Sequence, residues 1–306
     1  MPAASLRLLR PLVAVSSFIA PGPAGRLAFR AFCTPPRANE RNGKAATAVK
    51  AVTARLAGAQ RVSAPFPCGS VAAYVFEPPG LQDGKSPKTV LLLHGWSGRA
   101  AFMTAFVAPL LAAGFRVVAY DLPAHGVSTG NQLNVPIGVA SLAAVARAFA
   151  PVHAIVAHSF GGSIAMAAMA RTVPGQPHVR AGRLALIAAP SSLRQVTRGF
   201  GATIGLGARG QAALERRIHV VAGAPVEAFE GRDQLTAWAG PTLVVHCRDD
   251  REVGFQNAEA LAQAGPFVRL EAMSGLGHRR ILQGRAVVEA VTRFVAGQDQ
   301  RVTPTP

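Results

Sequence analysis

From residue 70 to residue 297 the chain alternates between two apolar patterns. "SVAAYVFEP" at 70–78 alternates and is rich in β-formers, so it reads as a strand. "TVLLLHG" at 89–95 is apolar without a break, as in a strand covered on both faces. "RVVAYD" at 116–121, "VHAIVAHS" at 152–159, "RLALIAAP" at 183–190, "PTLVVHC" at 241–247 and "FVRLEAM" at 267–273 read as further strands. Between them lie stretches with helical spacing at 100–113, 137–150, 161–172, 257–265 and 279–297. The segment 191–238 holds no strong strand and is rich in Gly and Arg. Strands and helices that alternate over more than 200 residues predict an α/β protein: a mostly parallel central sheet with helices on both faces.

Composition adds limits. The chain has 306 residues, and half are hydrophobic, enough to bury a sizeable core. Cys33, Cys68 and Cys247 are odd in number and far apart, so neither a disulfide framework nor a zinc ribbon is expected, and a reducing compartment is. No apolar run is long enough for a membrane-spanning helix. The formal net charge is +17, unevenly spread: residues 1–61 hold ten Lys/Arg against the single acid Glu40, for +9. Only Lys44, Lys50, Lys85 and Lys88 are lysines, so the excess is arginine. No aromatic-rich basic patch of the kind that stacks bases is evident, and nucleic acid is not an expected partner.

Residues 1–61 read as a basic N-terminal arm or helix, 62–298 as the folded domain with a cap insertion at about 191–238, and 299–306 as a tail. The opening "MPAASLRLLRPLVAVSSFIAPGPAG" has some features of a targeting segment, but Pro11 interrupts its apolar run and no clear A-x-A site follows. A mature arm packed on the domain is the expectation. Arg7, Arg10, Arg26, Arg30 and Arg37 are interleaved with Leu8, Leu27, Phe29 and Phe32, a mixture that also suits weak contact with an anionic membrane. The expected location is cytoplasmic, with an exported or membrane-surface protein as the alternative.

Functional groups of parallel sheets collect at the carboxyl ends of the strands. Here those ends carry His94-Gly95-Trp96, then Ser159, then Asp249 and Asp250, then His278. A serine hydroxyl becomes a nucleophile when an imidazole takes its proton. The imidazole in turn needs a carboxylate to fix its tautomer. Acyl chemistry also needs two N–H donors for the oxyanion. The chain order Ser, Asp, His is that of the α/β-hydrolase triad.

Taken together, "LLLHGWSGRA", "YDLPAHGVSTG", "AHSFGGSIA", "VVHCRDDREVGF" and "GLGHRRIL" resemble the α/β-hydrolase superfamily, and within it esterase-like serine hydrolases of bacterial type. The resemblance spans about residues 70–296. It implies that fold with a small cap, and a cofactor-free hydrolase acting on a carboxylic ester, thioester or amide through an acyl-enzyme. By resemblance the nucleophile is Ser159, the acid Asp250 in the pattern His246…Asp250…Val253, and the base His278. The oxyanion amides are those of Trp96 and Phe160. The alternatives are acyl transfer or C–C hydrolysis on the same triad, or a non-catalytic binding protein of this fold. The expected partner is a small acyl substrate.

Three details depart from or complicate the pattern. Ala157 stands where the family's G-x-S-x-G motif has its first glycine, a mild change that adds one methyl. Asp249 is the alternative acid, one residue away. "GLGARG" at 205–210 matches a dinucleotide fingerprint literally, but no buried strand precedes it, so it reads as a cap loop and no cofactor is expected. His94, His125, Asp121 and His158 read as structural. No H-E-x-x-H pair is present, and no metal site is expected.

Overall fold

A computed structural model of the protein describes residues 3–36, 51, 53–80 and 86–298. The expected tail at 299–306 and residues 1–2, 37–50 and 52 of the expected arm lie outside them. Eight strands form one sheet: β1 (Gln60–Phe66), β2 (Gly69–Phe76), β3 (Thr89–Leu93), β4 (Arg116–Tyr120), β5 (Val152–His158), β6 (Arg183–Ile187), β7 (Thr242–Cys247) and β8 (Val268–Met273). Their order is β1-β2-β4-β3-β5-β6-β7-β8. The pairs β1/β2 and β2/β4 are antiparallel, and all the others are parallel.

The uninterrupted apolar runs have a physical cause in this arrangement. Every residue of β3 is buried, because successive side chains enter different cores. Leu91, Leu93, Ile155, Ala157, Leu186 and Val244 face one core. Val90, Leu92, Ala154, Val156, Ile187 and Val245 face the other. The first core is closed by α4 (Val135–Ala148), whose Asn134 cap accepts the Ile137 N–H at 3.0 Å, by α5 (Phe160–Met169) and by α9 (Gln256–Ala262). The second is closed by the 3-10 turns Ala100–Phe106, by α3 (Val107–Ala112) and by α11 (Arg285–Ala296). The expected helix at 279–297 is broken: α10 (Gly277–Arg280) and a 3-10 turn precede Gly284, and α11 follows it.

The N-terminal segment is more deeply built in than its charge suggests. Helix α1 (Ala3–Ile19) is followed by α2 (Pro21–Phe32), which starts with the proline that a first helical turn tolerates. Ala28, Phe29 and Cys33 belong to the first core, and Leu133 N–H donates to the Cys33 carbonyl at 2.8 Å. The sequence reading starts the strands near Ser70. The structure adds β1, an edge strand whose alternating polar residues and Pro65 mask its β character.

Between β6 and β7 the chain inserts α6 (Leu193–Ile204), α7 (Ala208–Ala222) and α8 (Gly231–Trp238). "GLGARG" is the turn between α6 and α7 together with the first residues of α7: Gly205 ends α6 at φ 79°, and Gly207 caps α7. It follows a helix, not a strand. Helix α2 lies against α7, close enough that a methyl on Gly25 would come within 2.5 Å of Ala213 Cβ.

Candidate active site

Strand β5 ends at His158 and α5 starts at Phe160, leaving Ser159 alone to make the turn at φ 52° and ψ −125°. A non-glycine residue holds that conformation only when its surroundings enforce it. Here they do. A Cβ on Gly161 would stand 2.5 Å from the His94 carbonyl oxygen, and one on Gly162 would stand 2.7 Å from Ala189 Cβ. A Cβ on Gly95 would stand 2.7 Å from Ser159 Cβ. The loops after β3 and β5 are thus pressed together through Gly95 and Gly161, and the loop after β6 meets α5 at Gly162. Ala157 pairs with Leu93 on one side and Leu186 on the other, fully buried, so its methyl is accommodated within the sheet. The same approach sets Trp96 against Phe160, their rings edge-on at 5.7 Å. Phe160 opens α5, where first-turn amides have no acceptor within the helix.

The loops after β7 and β8 bring two more groups to the serine. His278 Nε2 lies 3.0 Å from Ser159 Oγ, and His278 Nδ1 lies 2.7 Å from Asp250 Oδ2. With Nδ1–H donating to the carboxylate, Nε2 is left to accept the serine proton. The other oxygen of Asp250 accepts the N–H groups of Glu252 (2.8 Å) and Val253 (2.9 Å). His246 Nε2–H donates to the Val253 carbonyl at 2.8 Å and stands 3.5 Å from Asp250 Oδ2. Burial alone would raise the Asp250 carboxyl. Hydrogen bonds from His246, His278 and the Val253 amide outweigh it and hold the group well below the carboxylate range.

Asp249 faces another way. Its Oδ1 accepts the Gly275 N–H at 2.8 Å and the Cys247 thiol at 2.9 Å, tying the two loops together without reaching His278. His94 accepts the Leu122 N–H at Nε2 (2.9 Å) and donates from Nδ1 to the Gly95 carbonyl (2.7 Å). His125 accepts the Ser97 N–H at 3.0 Å and donates to the Pro123 carbonyl at 2.9 Å. Asp121 accepts the Ala100 N–H at 2.8 Å and the Val127 N–H at 3.1 Å. These three side chains, all buried, fix the loop that carries Trp96.

His158 is the residue whose importance the sequence conceals. Its position beside Ser159 suggests a side chain pointing elsewhere. Instead its ring packs against that of His278, and Nε2–H donates to the His278 carbonyl at 2.9 Å. Burial, and then the neighbouring His278, push the His158 imidazole down to about 3, so it is neutral.

Ser159 opens into a cleft of about 300 Å³ bordered by Trp96, Phe102, His158, Arg279, Leu282 and Gln283. The insertion between β6 and β7 contributes no wall to this cleft. Its Leu193 and Ile218 instead meet Phe160 and the α2 residues Phe29 and Phe32 around a narrow apolar gap. Among the described residues no cluster of three His, Cys, Asp or Glu could hold a metal ion, and no helix is long and apolar enough to cross a membrane.

Residues 90–290 match the family described as "Alpha/beta hydrolase family". The chain belongs to that family. Solved structures with the same fold include a serine hydrolase from the polyaromatic-hydrocarbon-degrading bacterium Cycloclasticus zankles, at 16% identity and a TM-score of 0.57, covering 79% of this chain and 100% of that one. The esterase domain of a Rhodothermus marinus protein is similar at 19% identity and a TM-score of 0.54, covering 78% and 97%. A meta-cleavage product hydrolase from Pseudomonas fluorescens is similar at 18% identity and a TM-score of 0.55, covering 78% and 98%. At such identities the likeness is one of fold. No curated protein matches the sequence. As a member of the family the protein is a hydrolase, and its sheet order is the frame on which the loops after β3, β5, β7 and β8 meet.

Proposed function

We propose that the protein is a cofactor-free serine hydrolase of carboxylic esters that works through an acyl-enzyme on Ser159. The observation that carries this reading is the unbroken row Ser159 Oγ, His278 Nε2, His278 Nδ1, Asp250 Oδ2, with contacts of 3.0 and 2.7 Å. In the reaction Ser159 Oγ attacks the ester carbonyl carbon while its proton passes to His278 Nε2. The negative charge on the carbonyl oxygen is received by the N–H groups of Trp96 and Phe160. The C–O bond to the alcohol then breaks, and His278 gives that alkoxide its proton. Water attacks the acyl-serine with His278 again as base, releasing the acid and restoring the hydroxyl. Asp250 keeps Nδ1 protonated and stabilises the imidazolium at both stages.

Esters fit the apolar side of the cleft, formed by Trp96, Phe102 and Leu282. Arg279 and Arg280 border the same cleft, where a released carboxylate would form. The unpaired thiols Cys33, Cys68 and Cys247 support a reducing, cytoplasmic setting.

The test uses p-nitrophenyl esters of graded chain length and a fluorophosphonate probe, with Ser159→Ala as control. Turnover lost by on the order of a thousandfold, and a labelled peptide containing Ser159, are expected. Labelling at another serine, or full turnover in the Ser159→Ala protein, would overturn the assignment. Carbon–carbon cleavage without ester turnover would replace the ester by the alternative chemistry on the same row.

A further inference from the structure

Helix α1 leaves one side uncovered. At about 100° per residue, Pro11, Leu12, Val15, Phe18 and Ile19 fall within one sector of about 120°, while Arg10, Val13 and Ser17 lie on the other side. The two sides differ in surroundings. Ser17 is buried, seated beside Gly210 at the start of α7, and Arg10 lies beside Gly205. Leu12 is 67% exposed, Val15 56%, Phe18 65% and Ile19 74%. Helix α2 adds Leu27, 67% exposed, flanked by the exposed Arg26 and by Arg30 one turn on. The Arg209 guanidinium lies over the Phe18 ring, 4.5 Å from its centroid, putting another cation beside the apolar stripe.

Adjacent large apolar side chains held in water mark a surface that meets something else. The charge pattern chooses the occupant. Residues 1–39 contain Arg7, Arg10, Arg26, Arg30 and Arg37 and no acid. A second copy of this face would bring the same cations together. An anionic bilayer offers both an apolar phase for the stripe and negative headgroups for Arg26, Arg30 and Arg209 beside it. A helix with a narrow apolar sector and basic flanks lies along such an interface and does not cross it.

We propose that the outer face of α1, with Leu27, Arg26 and Arg30 of α2, docks the protein on the surface of an anionic lipid bilayer. The inner face of α2 is part of the first core, so docking through these helices carries the whole folded unit to the membrane. This inference does not depend on the reaction assigned to Ser159.

Co-sedimentation of the full chain with phosphatidylglycerol-containing vesicles tests it, with pure phosphatidylcholine vesicles alongside. The expected result is pelleting with the anionic vesicles at low salt, reduced at about 0.5 M, where screening shortens to a few ångströms. The triple variant Leu12→Gln, Val15→Gln, Ile19→Gln should bind on the order of tenfold less while keeping its melting temperature and ester turnover, because these side chains touch solvent. The inference fails if the intact protein never pellets, pellets equally with both lipids, or binds unchanged in the variant. It also fails if the protein elutes as a dimer that the variant dissociates, which would make the face an interface between copies.

Discussion

The ring of His158 lies 4.8 Å from that of His278, and the two are joined by a hydrogen bond from His158 Nε2 to the His278 carbonyl. The residue before the candidate nucleophile thereby holds the backbone of the candidate base. His158→Leu keeps volume but removes the donor. It should lower kcat about ten- to hundredfold with little change in KM, since small displacements of a reacting group are costly. His158→Gln keeps a donor at similar reach and should restore most of the loss. Steady-state kinetics of both variants distinguish positioning from packing, which Gln would not rescue.

Asp250 and Asp249 are adjacent yet serve different partners. Asp250→Asn should reduce turnover by about a thousandfold or more, because the amide favours the wrong imidazole tautomer. Asp249→Asn weakens the bonds from Gly275 and from the Cys247 thiol, neither of which reaches His278, and should leave kcat within severalfold. The reverse ranking would give Asp249 the acid's part.

Gly161 has no room for a side chain, since a methyl would meet the His94 carbonyl oxygen at 2.5 Å. Gly161→Ala should therefore lower both the melting temperature and turnover, by parting the loops that carry Trp96 and Ser159. Ala157→Gly should keep turnover and cost about 1 kcal/mol of stability, from the lost buried methyl and a looser strand. Urea unfolding and ester kinetics on the two variants check the contrast.

The buried imidazoles make stability depend on pH. Burial, aided by His125, holds His94 well below its ordinary value, and burial, aided by His278, lowers His158 to about 3. Unfolding frees both to bind protons near pH 6.5, so the unfolded state gains protons that the folded state refuses. Stability should thus be fullest above pH 6.5 and fall as pH drops from there toward 3. The slope is about 1.4 kcal/mol per pH unit for each histidine. Chemical denaturation at pH 7 and pH 5 should show this loss, and His158→Gln should reduce it by about one proton's share.

The N-terminal helices should separate by truncation. Removing residues 1–20 takes away α1 alone and should leave soluble-ester turnover intact. Removing 1–36 also strips Phe29 and Cys33 from the first core and should destabilise the protein severely. Phe29→Ala alone should cost about 3 kcal/mol or more, measured by urea unfolding. An intact melting temperature without residues 1–36 would show that α2 is dispensable.

The sequence by itself determined the alternation of strands and helices and the order of chemistry at the strand ends. Both are local: a strand buried on two faces must be apolar throughout, as β3 is, and strand-end loops are where side chains escape the sheet. Tertiary structure decided what depends on direction. Asp250 meets His278 while Asp249 turns to Gly275, and spacing along the chain carries no such vector. His158 reads as a structural residue pointing away from the site, because its partner is a backbone carbonyl 120 residues along the chain. Helix α2 reads as part of a charged arm because its only charged residues, Arg26 and Arg30, are basic, whereas its contribution to the core rests on Ala28 and Phe29, which only the packing against α7 brings inside. The insertion could be placed between β6 and β7 from sequence, but not oriented. Its helices turn toward α2 and leave the cleft at Ser159 to the loops after β3 and β8, an outcome fixed by apolar surfaces that meet only when the chain is folded.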